Sequence, residues 1–155
     1  MSHDLEKAVW THHDFGVMGW HDSHLFCFTV LPEQFELALD IDYIAKWVKP
    51  APTDEHFTFW VAPATLIFHD AQNISVSFEM GALEDMEVLQ ITRTRIEGKE
   101  DDWRWLIELR CGAIEFDASG YTQYFRQEPS HIQAQSLGLE ARGGVSIARV
   151  AYGPG

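Results

Sequence analysis

The groups able to do acid–base or ligand chemistry in this 155-residue chain are its 24 Asp+Glu and eight His residues. Their densest grouping is Trp20-His21-Asp22-Ser23-His24. Neutral imidazole is a good ligand for zinc and other divalent metals. His21, Asp22 and His24, joined by a carboxylate from elsewhere, are therefore a candidate metal site, or a set of acid–base groups for a small-ligand enzyme. The competing reading is structural: Asp22 and Ser23 accept backbone hydrogens in a turn while the histidines finish a sheet edge.

A second grouping lies on one side of a single strand. In Phe35-Glu36-Leu37-Ala38-Leu39-Asp40-Ile41-Asp42-Tyr43 the odd positions are apolar, and Glu36, Ala38, Asp40 and Asp42 alternate with them. At strand rise Asp40 and Asp42 stand about 7 Å apart from Cα to Cα. Such a pair can hold a hard cation, or one member can be driven to a raised pKa. With the odd residues turned inward, Glu36, Asp40 and Asp42 are expected to face water as an acidic recognition row or simply a solvated face.

Other chemistries find no support. There is no Gly-x-Ser-x-Gly elbow, and neither Cys27 nor Cys111 has a histidine neighbour in sequence. Both cysteines read as buried thiols. No glycine-rich phosphate loop opens a helix; Glu140-Ala141-Arg142-Gly143-Gly144 reads as a terminal turn. No cofactor is indicated apart from the divalent metal that the histidine cluster would take. Of the six tryptophans, Trp103 and Trp105 share a strand face with Ile107 and Leu109 and belong to a core. Trp10 and Trp20 lie outside the strongest pattern and are candidates to stack on a sugar or anchor a partner.

The elements that must position these groups are strands. Period-2 patterning dominates residues 24 to 125. Besides the stretch around Asp40, it predicts strands at His24–Leu31, Phe57–Val61, Ala64–His69, Ile74–Met80, Val88–Ile96, Trp103–Arg110, Ala113–Phe116 and Tyr121–Phe125. Pro63 reads as a bulge or kink, because proline donates no ladder hydrogen bond. Residues 44–48 could form a helical turn, and 129–139 another. The expected fold is mainly β: an antiparallel sandwich or strongly curled sheet of about seven or eight strands, with at most one or two short helices. Residues 1–155 read as a single domain, with 1–19 and 127–155 as peripheral segments.

Eleven Lys+Arg against the 24 acids leave a formal net charge of -13. That balance excludes sequence-independent nucleic-acid binding, which needs cationic side chains to release counterions. It argues equally against an anionic membrane. A basic protein partner is what it favours, and an open sheet edge would also allow a homodimer. The N-terminal residues lack the basic start and apolar run of a signal peptide, so a cytoplasmic setting is expected.

The segments Trp20-His21-Asp22-Ser23-His24, Leu39-Asp40-Ile41-Asp42-Tyr43-Ile44, Phe59-Trp60-Val61-Ala62-Pro63-Ala64-Thr65-Leu66 and Glu140-Ala141-Arg142-Gly143-Gly144 together resemble a family of small uncharacterised bacterial proteins, over roughly Trp20 to Gly144. That resemblance implies no activity and no catalytic residues. The His-Asp opening followed by a β-hairpin is similar, more faintly, to some bacterial immunity proteins, which neutralise a toxin made by the same cell or its kin. The expected function is a non-enzymatic acidic binding domain that docks a basic protein, with Glu36, Asp40, Asp42 and Trp20 as binding residues. The alternatives are an enzyme at His21, Asp22 and His24, and a sugar- or small-molecule-binding sandwich.

Overall fold

The computed structural model describes residues 5–153, the side chains of residues 83 and 84 excepted. The strands are β1 (Val9–Thr11), β2 (His24–Leu31), β3 (Glu36–Val48), β4 (Thr58–His69), β5 (Gln72–Phe78), β6 (Val88–Arg95), β7 (Trp103–Leu109), β8 (Gly112–Ala118), β9 (Gly120–Phe125) and β10 (Ser130–Ile132). One short helix, α1 (Leu139–Arg142), and 3-10 turns at His12–Val17 and Leu83–Met86 complete the described secondary structure. The larger sheet runs β1-β9-β4-β3-β2, with β10 also paired to β4; the smaller runs β5-β8-β7-β6. All pairings are antiparallel.

Alternation decides which side chains meet. Leu37, Leu39, Ile41 and Tyr43 of β3 turn inward and share one core with Leu66 and Phe68 of β4, Trp105 and Ile107 of β7, and Ile114 and Phe116 of β8. The Phe68 ring lies 5.1 Å from Trp105 and 4.6 Å from Phe116, centroid to centroid, so the two sheets pack face to face as a sandwich. The three-residue strands β1 and β10 come from the segments expected to be peripheral.

Three local expectations are corrected. Residues 44–48 form no helical turn; β3 continues to Val48, with a register shift between Ile44 and Lys46. Ile44 is held there by a second apolar cluster with Phe59, Val61 and Leu137 on the sheet's outer face. The two strands expected on either side of Pro63 are one, because Pro63 stays in register opposite Asp42. Its carbonyl accepts from the Arg126 N–H at 2.9 Å. In an antiparallel strand a residue's N and O point to the same side, so its missing donor faces the gap between β9 and β10 and costs no ladder bond. Residues 129–139 hold β10 rather than a helix. Among the described residues no helix is long and apolar enough to cross a membrane.

Candidate functional site

The even-numbered face of β3 is where the structure departs most from expectation. Glu36, Asp40 and Asp42 do share that face, but it is not wet: Asp40 and Asp42 are each 0% exposed, and Glu36 is buried as well. The segment beyond β9 lies across them. Gly138 starts α1, and Gly143, in the left-handed conformation at φ 80, stops it after one turn. That turn delivers Arg142 between the two aspartates. Its Nε donates to Asp42 at 3.0 Å, and its Nη atoms donate to both Asp40 oxygens at 2.9 and 2.6 Å. The remaining donors reach the carbonyls of Ile41 and Gly144, so all five guanidinium N–H groups are used. The guanidinium carbon also sits 3.8 Å from the Phe26 ring centroid.

Both aspartates have further partners. Asp40 accepts further bonds from Arg126 at 2.7 Å and from the Ser146 N–H at 2.8 Å. Asp42 accepts from the Ser136 hydroxyl at 3.0 Å and the Leu137 N–H at 2.7 Å. Arg149 and His69 hold Glu36. The Arg149 guanidinium, against the cost of burial and with help from His69, keeps the Glu36 carboxyl below its ordinary value of 4.5. Such a network commits every carboxylate oxygen to a donor within the chain. It is an internal clasp, and the cation that the carboxylate row was expected to await is supplied by the chain itself.

The Trp20–His24 segment is a turn, but its side chains do not hold it as expected: the Asp22 carboxylate accepts from Gln135, and among the described residues the buried Ser23 hydroxyl has no hydrogen-bond partner. Ser23 N–H donates to the Trp20 carbonyl at 3.0 Å, Asp22 N–H donates to Val88 at 2.8 Å, and Asp22 takes a left-handed φ of 66. Trp20 is buried, with its indole N–H on Gln123 at 2.8 Å and its ring against Tyr43 and Tyr121. It is a core residue and not an anchor for sugar or partner. Trp10 is half-buried against the core, with the Lys7 ammonium 4.9 Å from its ring centroid.

His21 Nε2 lies 3.5 Å from an Asp22 carboxylate oxygen, but the two do not gather with His24 into a ligand set. His21 Nδ1 lies 3.0 Å from the Leu89 carbonyl, and its ring stacks on Trp47. Among the described residues no group of three or more His, Cys, Asp or Glu side chains could hold a metal ion. Asp22 and His24 instead border a hollow of about 250 Å³ with Glu87, a residue that sequence spacing could not have joined to them. Burial raises the Glu87 pKa above 4.5, Arg110 opposes that, and neighbouring Asp22 adds to it. Burial lowers that of His24 below 6.5, with Asp42 opposing.

An exposed aromatic patch lies at the far end of β3. Trp47 is 40% exposed and Phe57 43% exposed. Their ring centroids are 6.1 Å apart, and Phe59 lies 5.0 Å from Trp47 beneath them. Phe57 also lines a hollow of about 350 Å³ whose wall carries the exposed carboxylates of Asp54 and Glu55. Sequence reasoning passed over this patch because residues 44–48 were read as a helical turn, which would have pointed Trp47 elsewhere. The signal was there in the odd-numbered continuation from Tyr43 to Trp47. No protein-family model, curated protein or solved structure matches the chain.

Proposed function

We propose that this chain is a non-enzymatic acidic binding domain of the toxin-neutralising kind. It docks a basic protein through the Trp47–Phe57 patch and the Asp54–Glu55 loop beside it. One observation carries the reading. The buried row is neutral within itself, three carboxylates (Glu36, Asp40, Asp42) facing three guanidiniums (Arg126, Arg142, Arg149). The net charge of -13 therefore belongs to the rest of the molecule. A field of that sign speeds encounter with a cationic partner, and exposed tryptophan is the residue type most enriched among binding hot spots. Aromatic faces beside carboxylates also suit arginine and lysine, which stack on the one and pair with the other.

The test is co-expression with the basic polypeptides encoded beside its gene. The expected result is a stable complex whose association slows as salt is raised. Trp47→Ala should weaken it about tenfold or more, mainly through faster dissociation, and Asp54→Lys with Glu55→Lys should slow association. No complex with any of these polypeptides, or one indifferent to all three substitutions, removes the reading.

A further inference from the structure

Arg93 and Arg95 occupy positions on β6 that belong to the core face. They pair directly across from Trp105 and Trp103, and Trp105 is fully buried between the sheets. Residues directly opposite in an antiparallel pair share a face. A strand whose Ile91 sits in the core thus gives its next two inward positions to guanidinium groups.

The Arg93 guanidinium carbon lies 4.1 Å from the Trp103 ring centroid and 4.5 Å from that of Phe15; Arg95 lies 3.9 Å from Trp103. Ring faces hold a guanidinium in place without using its N–H donors. Those donors are largely unspent. Among the described residues Arg93 has no hydrogen bond or ion pair, and Arg95 gives one bond to the Glu100 carbonyl at 2.8 Å.

A cavity of about 390 Å³ opens onto these groups, and His12, His13 and Ser119 also line it. The 3-10 turn that carries the two histidines is tied at its start by the Thr11 N–H on Asp14 at 2.9 Å. It sets the two rings 4.2 Å apart. Gly120 makes room for the first of them: a Cβ there would come within 2.2 Å of His12 Nδ1. That nitrogen is buried, and among the described residues it has no hydrogen-bond partner of normal geometry.

We propose that this cavity binds a single phosphate group, free or as the monoester of a small molecule. Two guanidinium forks with free donors match a tetrahedral oxyanion, and the adjacent imidazoles add ring N–H groups. The volume is that of a small-ligand site. Glu100 and Asp101 on the cavity wall repel further negative charge, which favours one phosphate over a polyanionic chain. Sequence alternation alone hides the site, because Arg93 and Arg95 look like the polar side of an ordinary strand until Trp103 and Trp105 are set opposite them.

Calorimetric titration with inorganic phosphate and with a nucleoside 5′-monophosphate tests this, alongside NMR of the His12 and Arg93 side chains. Saturable one-to-one binding is expected, with shifts at both side chains. Arg93→Gln and Arg95→Gln should each weaken it about tenfold or more. Arg104→Gln, on the other face of the same sheet, should not. Tighter binding of the monophosphate assigns the monoester; equal or weaker binding assigns free phosphate. Absence of heat and of shifts with both probes overturns the proposal, and leaves these arginines as inward charges that protect the β6 edge from pairing. Binding that survives in both arginine variants overturns it too. Should either variant fail to fold, the shifts in the unaltered protein decide.

Discussion

Arg142 and Asp42 are 100 positions apart in the chain, yet the Arg142 Nε donates to the Asp42 carboxylate at 3.0 Å with both side chains out of solvent. Closing so long a loop costs chain entropy, and desolvating the ions costs more. The clasp persists because nothing in it is left unpaired: five donors on one guanidinium meet five acceptors. Its consequence is architectural. A segment without alternating pattern is fixed onto the outer face of β3, where it hides the carboxylates and adds Leu137 to the small apolar cluster.

Removing the guanidinium should therefore be expensive. Among the described residues, Arg142→Met leaves Asp42 without its ion-pair partner and Asp40 with Arg126 alone. Breaking a buried ion pair from one side typically costs about 3–5 kcal/mol. Urea denaturation should show a loss of that size. Replacing all three side chains together, Asp40→Asn, Asp42→Asn and Arg142→Met, should recover part of it. A loss below about 1 kcal/mol for the single variant would mean the clasp does not anchor the segment.

The Glu36–Arg149 pair gives the clasp a pH dependence. Arg149 holds the Glu36 pKa below the ordinary 4.5, so as pH falls the unfolded chain takes up the proton first. The stabilising contribution is complete above 4.5 and is lost as pH falls from there through the folded value. Glu36→Gln has no such contribution to lose. The stability gap between wild type and Glu36→Gln should be constant near neutrality and narrow below that pH. A gap that does not change in acid would detach Glu36 from the linkage.

Much of the sandwich is legible in the residues, and the fate of the acidic row is not. Alternation places Leu37, Leu39 and Ile41 inward correctly, and His24–Leu31 is β2 to the residue. Period 2 separates a strand's faces, but it says nothing about what covers the second one. The covering segment announces itself only by residues that looked incidental: Gly143 as a cap, Arg126, Arg142 and Arg149 as scattered cations. Three of the chain's seven arginines fall in its last 30 residues, as many as the carboxylates in the row on β3. Asp22 and Glu87 are brought together by the turn at Trp20 and the start of β6, a long-range contact that no local spacing encodes.

Gly112 is a position where no side chain fits. Its φ is 147, and a Cβ would lie 1.8 Å from the Ser77 carbonyl oxygen and 2.8 Å from its carbon. Both are backbone atoms of β5, the neighbouring strand, so neither can swing aside. Gly112→Ala should cost roughly 2–4 kcal/mol by chemical denaturation, combining backbone strain with a displaced strand. Gly98→Ala is the control: its φ of 83 is also left-handed, but its Cβ would meet no atom within 4 Å. It should cost about 1 kcal/mol. Equal losses at the two sites would show that conformation alone, and not the approach of β5, sets the requirement.

Phe35 reverses the usual logic of an aromatic residue. It holds a left-handed φ of 56 at the tip of the β2–β3 hairpin while its ring is 67% exposed. Its backbone is pinned there, with the N–H on the Pro32 carbonyl at 3.3 Å and the carbonyl accepting from Ala71 at 2.7 Å. A bulky residue in that region carries about 1 kcal/mol of strain, and so exposed a ring contributes little burial in return. Asparagine tolerates the same conformation. Phe35→Asn should therefore raise stability by a few tenths to about 1 kcal/mol in urea denaturation, with no change in the dependence on denaturant. A loss of stability of similar size would mean that the ring packs in solution against something the hairpin tip leaves open. Phe35 would then count as a second apolar contact point of the domain.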